Sequence, residues 1–87
     1  MARVWIPAPL RSFTGGQETV DVPGTRVSQV IDALDQQFPG IRARLADGDR
    51  LHPGIAAVVD GEVARLGLLQ PVRADSEVHF LPALGGG

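Results

Sequence analysis

The clearest periodicity in this chain is helical. Val27, Val30, Ile31, Leu34 and Phe38 follow one another at steps of 3, 1, 3 and 4, which aligns them as one apolar stripe. Asp32, Asp35 and Gln36 take the other face. Pro23-Gly24 breaks the segment before, Thr25 stands where an N-cap belongs, and Pro39-Gly40 stops the helix. Ile41 and Leu45 suit one further short turn with Arg42 and Arg44 outside. A single stripe must be buried against a surface of another kind, and the flanking segments supply it as strands.

Arg3 to Pro7 alternates, with Val4 and Ile6 pointing one way and Trp5 and Pro7 the other; Pro7 and Pro9 end regular pairing. Residues 10 to 17 form a loop around Gly15-Gly16. Glu18 to Val22 alternates again, so the two strands make a hairpin. After the helix, 47 to 53 is polar and turn-rich. Ile55 to Val59 is an apolar run, Asp60-Gly61 a tight turn, and Val63 begins the return. Leu66, Leu68 and Leu69 are irregularly spaced and read as core plugs beneath a loop or 3₁₀ turn. Glu77 to Leu81 closes the fold, with Val78 and Phe80 inward and His79 and Leu81 outward. Strand, strand, helix, strand, short strand, strand describes an α+β roll. A right-handed crossover lays the last strand parallel to the first. That is a β-grasp, or ubiquitin-like, arrangement: a mixed sheet of four to five strands with one main helix. Trp5, Pro7, His79 and Leu81 then share its open face.

Size and charge narrow the function classes. Eighty-seven residues build one small domain, whose thin core favours a carrier or binding module over an enzyme with a deep pocket. Eight arginines against ten acidic residues give a net charge of −2, with no footprint for nucleic acid or an anionic membrane. Cysteine is absent, which excludes disulfides, thiolate metal sites and a cysteine nucleophile. No segment reads as a signal peptide or a membrane span, so a soluble, cytoplasmic domain is expected. Lysine is absent too, so only the chain's own N-terminus could accept an acyl group as an amine.

The strongest functional signal is Gly85-Gly86-Gly87, expected to be a flexible tail on a domain spanning residues 1–84. A carboxylate carried on residues without Cβ atoms threads a narrow channel into another protein's active site. A free carboxylate is a poor electrophile until ATP converts it to an acyl-adenylate. A sulfur donor then displaces AMP and leaves a thiocarboxylate, whereas an attacking amine gives an isopeptide bond. A frayed end with incidental glycines is the plain alternative.

The stretch Ile6-Pro7-Ala8-Pro9-Leu10-Arg11, the loop Thr14-Gly15-Gly16-Gln17 and the ending from Val78 to Gly87 resemble the ThiS/MoaD sulfur-carrier family over nearly the whole chain. The likeness is closest to the actinobacterial branch that feeds sulfur to a dedicated cysteine synthase. One departure is the family's Asp-Gly-Asp turn before the last strand, which reads Asp75-Ser76-Glu77 here. The resemblance implies an E1-like adenylyltransferase or sulfurtransferase partner that binds ATP and Mg²⁺, with no cofactor held by this chain. Gly87 would be the residue adenylated and thiocarboxylated, and Gly85 and Gly86 would give reach. A cysteine synthase would accept the sulfur, and a metalloprotease could trim the tail. Thiamin thiazole, molybdopterin and sulfur-containing natural products are the family's other destinations, and lysine conjugation through Gly87 is the alternative function. Trp5, Pro7, His79, Leu81 and Pro82, beside the root of the tail, are the expected partner-binding residues.

Other candidates are weaker. His52 and His79 lack a recognisable nucleophile partner, and Gly15-Gly16 has no following Gly-Lys-Ser/Thr to make a phosphate cradle. Asp47-Gly48-Asp49 lacks the remaining ligand positions of a calcium loop. Arg42, Arg44 and Arg50 read as a solvated face or as polar contacts for an acidic partner.

Overall fold

The computed structural model describes residues 1–83, so Leu84 and the expected tail Gly85, Gly86 and Gly87 lie outside the described residues. Along the chain come β1 (Ala2–Trp5), β2 (Thr19–Val22), α1 (Val27–Gln37) and α2 (Arg42–Leu45). They are followed by β3 (Ala46–Asp47), β4 (Arg50–Leu51), β5 (Ile55–Val59), β6 (Glu62–Val63) and β7 (Glu77–Pro82). Five strands form one mixed sheet in the order β2-β1-β7-β5-β6. β1 is antiparallel to β2 and parallel to β7, with Trp5 opposite His79. β5 is antiparallel to β7, with Val58 opposite His79 and Ala56 opposite Leu81. This is the β-grasp arrangement anticipated from the alternation, with the last strand beside the first.

Alternation explains the core. Val4, Ile6, Val20, Val22, Ala57, Val59, Val78 and Phe80 point from the sheet to one side and are buried. Val27, Val30, Ile31 and Leu34 of α1 meet them, and Ile41 and Leu45 of the α2 corner complete the layer. Each large aliphatic side chain so buried contributes about 1.5–3 kcal/mol relative to exposure.

The helix begins one residue later than the sequence suggests. Arg26, extended at φ −148° and ψ 162°, is the N-cap, and no side chain caps the first turn. The Val27 amide donates instead to the Gln70 carbonyl at 3.0 Å, and the Val72 amide to the Thr25 carbonyl at 2.9 Å. A distant segment thus takes over the capping that Thr25 was expected to perform. Gln29 Oε1 accepts from both the amide and the hydroxyl of Thr25, at 2.8 and 2.9 Å. At the other end, Asp35 Oδ1 accepts the Gly40 and Arg42 amides at 3.1 and 3.0 Å and fixes the corner into α2. The Arg42 Nε–H reaches Asp32 Oδ1 at 2.9 Å, and the Arg44 guanidinium lies 5.9 Å from the centre of the Phe13 ring.

Three local expectations are corrected. β1 is regular only to Trp5, and Ile6 continues it with one bond from its amide to the Glu18 carbonyl. The turn-rich stretch after α2 is a small ribbon, β3 against β4, closed through Gly48 at φ +64°. Of the three leucines expected to plug the core, Leu68 alone is buried; Leu66 and Leu69 are 62% and 64% exposed. Leu66 is the N-cap and Leu69 the last residue of a 3₁₀ turn, Gly67–Leu69, whose three-residue period sets these two on one side and Leu68 on another.

Candidate functional site

Because α1 covers one side of the sheet, the outward half of each strand forms a second surface. On β1 and β7 that half is Arg3 and Trp5, and Glu77, His79 and Leu81. The Trp5 and His79 rings stack with centroids 5.2 Å apart and planes 5° from parallel. The Trp5 Nε1–H donates to Glu77 Oε1 at 3.1 Å. Tryptophan is therefore held on an interior strand by a face-to-face stack with its cross-strand neighbour and a hydrogen bond at its polar tip, rather than folded over a sheet edge. His79 is half-buried in this stack, while His52 is exposed and accepts the Gly54 amide at Nδ1, 3.1 Å away.

Leu81 stays 44% exposed where β7 ends. Pro7, just past β1, and Pro82 flank it, so all five expected partner-binding residues (Trp5, Pro7, His79, Leu81 and Pro82) come together in one groove of 320 Å³. The groove also takes in Ala8, Pro9 and Arg11. The Ala83 amide donates to the Gly54 carbonyl at 2.9 Å and anchors the chain as it leaves β7. Gly85, Gly86 and Gly87 follow from this point and lie outside the described residues.

The surface is wider than the sequence reading gave. Ala56 and Val58 of β5 share its side by register, and Val63 of β6, paired to Val58, extends it at 66% exposure. The missed signal was the run Ile55 to Val59, which is apolar at every position. A strand solvated on one face alternates, so an unbroken run marks a second face that is also apolar. The charged end of the same surface holds Arg3 and Asp21, 3.6 Å apart and both more than half exposed, an ion pair of little energetic weight.

The start of β7 is clamped. The Ser76 hydroxyl donates to Asp60 Oδ2 at 2.7 Å and accepts the Arg73 amide at 2.9 Å. Asp60 Oδ1 accepts the Glu77 amide at 2.9 Å. The Ser76 hydroxyl, with the Glu77 amide and more weakly the Arg73 guanidinium, holds the Asp60 carboxyl below its ordinary range. Ser76, one of the two positions where Asp75-Ser76-Glu77 departs from the Asp-Gly-Asp pattern, is 1% exposed and ties two loops together. Asp60 and Gly61 take φ +51° and +84°, the left-handed pair that a two-residue hairpin turn requires. The clamp sets where β7 starts, and so which side His79 and Leu81 face.

No helix among the described residues is long and apolar enough to cross a membrane. The arrangement offers an apolar face with an aromatic centre, and β7 ends at the edge of that face.

Comparison with known proteins agrees with this geometry. The ThiS family model matches residues 4–87. The sulfur carrier protein CysO of Mycobacterium tuberculosis is 36% identical over 89 residues, covering 97% of this chain and 96% of its own. The crystal structure of the Amycolatopsis orientalis BexX/CysO complex contains a chain with a TM-score of 0.91 and 36% identity, each covered fully. The crystal structure of SAMP1 from Haloferax volcanii, a small archaeal modifier protein, matches with a TM-score of 0.74 and 29% identity over 99% of this chain and 98% of that one.

Proposed function

The chain belongs to the ThiS family, and from that membership we propose that it is a sulfur carrier loaded at Gly87. It is a carrier and not an enzyme. In this reading an E1-like partner binds ATP and Mg²⁺ and transfers AMP to the Gly87 carboxylate, releasing pyrophosphate. A sulfide-level donor attacks the acyl carbon, the bond to AMP breaks, and the product is a thiocarboxylate, ionised at neutral pH. The sulfur is then the nucleophile that an accepting biosynthetic enzyme uses. Cysteine formation by a dedicated synthase is the preferred destination, with a metalloprotease trimming the tail afterwards, and the cytoplasm is the expected compartment. Thiamin thiazole, molybdopterin and natural products are the other family destinations.

The observation that carries the reading is the nearly full-length similarity to a sulfur carrier, together with a family match that runs through the terminal glycines. The grouping of Trp5, Pro7, His79, Leu81 and Pro82 at the end of β7 supports a partner-docking role for these residues. Gly85 and Gly86 give reach without side chains that would jam a channel. Intact mass after incubation with the host's E1-like enzyme, ATP and sulfide tests the loading. The expected product is heavier by one sulfur less one oxygen, needs ATP, and vanishes when Gly87 is deleted; no such species under those conditions removes the reading.

The likeness to a small archaeal modifier protein favours a second outcome of the same activation, conjugation of Gly87 to lysines of other proteins. Adducts of this kind would be single units, since the chain has no lysine of its own to extend them. ATP-dependent high-mass bands on an immunoblot are its signature.

A further inference from the structure

Arg11 differs in its surroundings from the arginines that form ion pairs. Its Nε–H donates to the Ile6 carbonyl at 3.1 Å, which anchors the guanidinium where β1 gives out. It is half-buried and lines the groove formed with Trp5, Pro7, Pro9, Leu81 and Pro82. Arg3, Arg42 and Arg73 pair with Asp21, Asp32 and Asp60. Arg11 has no carboxylate within 4.0 Å among the described residues.

This half-buried guanidinium is oriented by its Nε, its Nη groups lie beside apolar walls, and it meets no counter-charge among the described residues. Such a cation binds an incoming anion more strongly than a solvated one does, because charge–charge attraction grows as the local dielectric falls. Its two Nη donors match the two oxygens of a carboxylate.

We propose that this groove receives an Asp or Glu side chain of the adenylating partner, end-on to the Nη groups of Arg11, with that residue's apolar neighbours against Leu81 and the prolines. The proposal rests on the sulfur-carrier reading and adds to it the chemistry of the partner's contact. Reach separates the partner's carboxylate from the other anions of the reaction. Five residues run from Ala83 to Gly87, so an extended tail carries its terminal carboxylate, and any adenylate on it, up to about 17 Å beyond Pro82. In the sulfur-carrier reading those anions react inside the partner's catalytic chamber, while Arg11 stays on the body of this chain. What meets the root is the rim of the partner's channel, continuous with the surface that covers Trp5 and His79.

The test uses the full chain, the Arg11→Gln and Arg11→Lys variants, and the host's E1-like enzyme. Binding without ATP is titrated calorimetrically at low and high NaCl, with thermal melts and ATP-dependent loading in parallel. Wild-type affinity is expected to fall as salt rises. Arg11→Gln should bind about tenfold more weakly at low salt and lose part of the salt dependence, while Arg11→Lys, which keeps the charge but not the two-Nη fork, should bind at an intermediate level with the wild-type salt slope. Arg11→Gln binding like wild type with the same salt slope overturns the proposal. Should Arg11→Gln fail to fold, a wild-type affinity indifferent to salt, or a folded Arg11→Lys whose salt slope falls below that of wild type, overturns it equally. Normal loading of wild type with no Arg11 effect on binding refutes this contact and leaves the sulfur-carrier reading standing; no loading of wild type sinks both.

Discussion

Ser76 and Asp60 show how much one hydroxyl and one carboxylate decide. Ser76 is buried and uses its oxygen as donor and acceptor at once, so Ser76→Ala leaves the Arg73 amide and Asp60 each short of a partner. A loss of about 1–2 kcal/mol is expected in urea denaturation. Asp60 predicts a pH effect. Its carboxyl is held below the ordinary value in the fold, so its ionised form stabilises the protein above that value. The stabilisation fades as pH falls through the depressed folded value. Asn tolerates the positive φ at this turn. Asp60→Asn removes the titrating charge together with one of the two acceptors, so the variant starts less stable, and melts from neutral to acid pH should show a shallower acid decline in it than in wild type. Neither role was visible in the sequence, where Asp60-Gly61 signalled only a turn and Ser76 only a departure from a pattern. Hydrogen bonds between residues 16 apart in the chain arise once two loops are brought together.

Between β2 and α1 the decisive element is a glycine. Gly24 sits at φ +150°, and a Cβ there would lie 2.9 Å from the Val30 amide nitrogen and 3.0 Å from its Cγ2. Both obstacles belong to the helix, so Gly24→Ala must push α1 away from the strand that leads into it. A destabilisation of about 2 kcal/mol or more is expected by chemical denaturation. The helix itself was legible in the stripe Val27 to Phe38, because burial against a sheet imposes the helical period directly on the sequence. Its exact start was not, since the Gln70 carbonyl that meets the Val27 amide comes from another part of the chain. The leucines past β6 misled for a related reason: hydrophobicity marks candidates for burial, and a 3₁₀ turn turned two of the three to solvent.

For the molecule as a whole, the parallel pairing of β1 and β7 is what gathers Trp5 and the end of β7 onto one side. Trp5 is the only tryptophan and tyrosine is absent, so intrinsic fluorescence comes from this face. Trp5→Ala is expected to weaken binding to the adenylating partner about tenfold or more while the melt stays cooperative, as checked by calorimetric titration. Removing residues 84–87 takes away the carboxylate to be loaded and should abolish thiocarboxylate formation in the mass assay. The sequence alone determined the order of the main helix and the five sheet strands, the core stripe, the β-grasp roll and the family, since each is written in local period or in contiguous motifs. Tertiary structure decided the rest: the flat stack of Trp5 on His79, the extension of the docking face through Ala56, Val58 and Val63, and the anchored Arg11 at its edge. Those features depend on which strands become neighbours and in what register, and register is fixed only when the whole sheet closes on its helix.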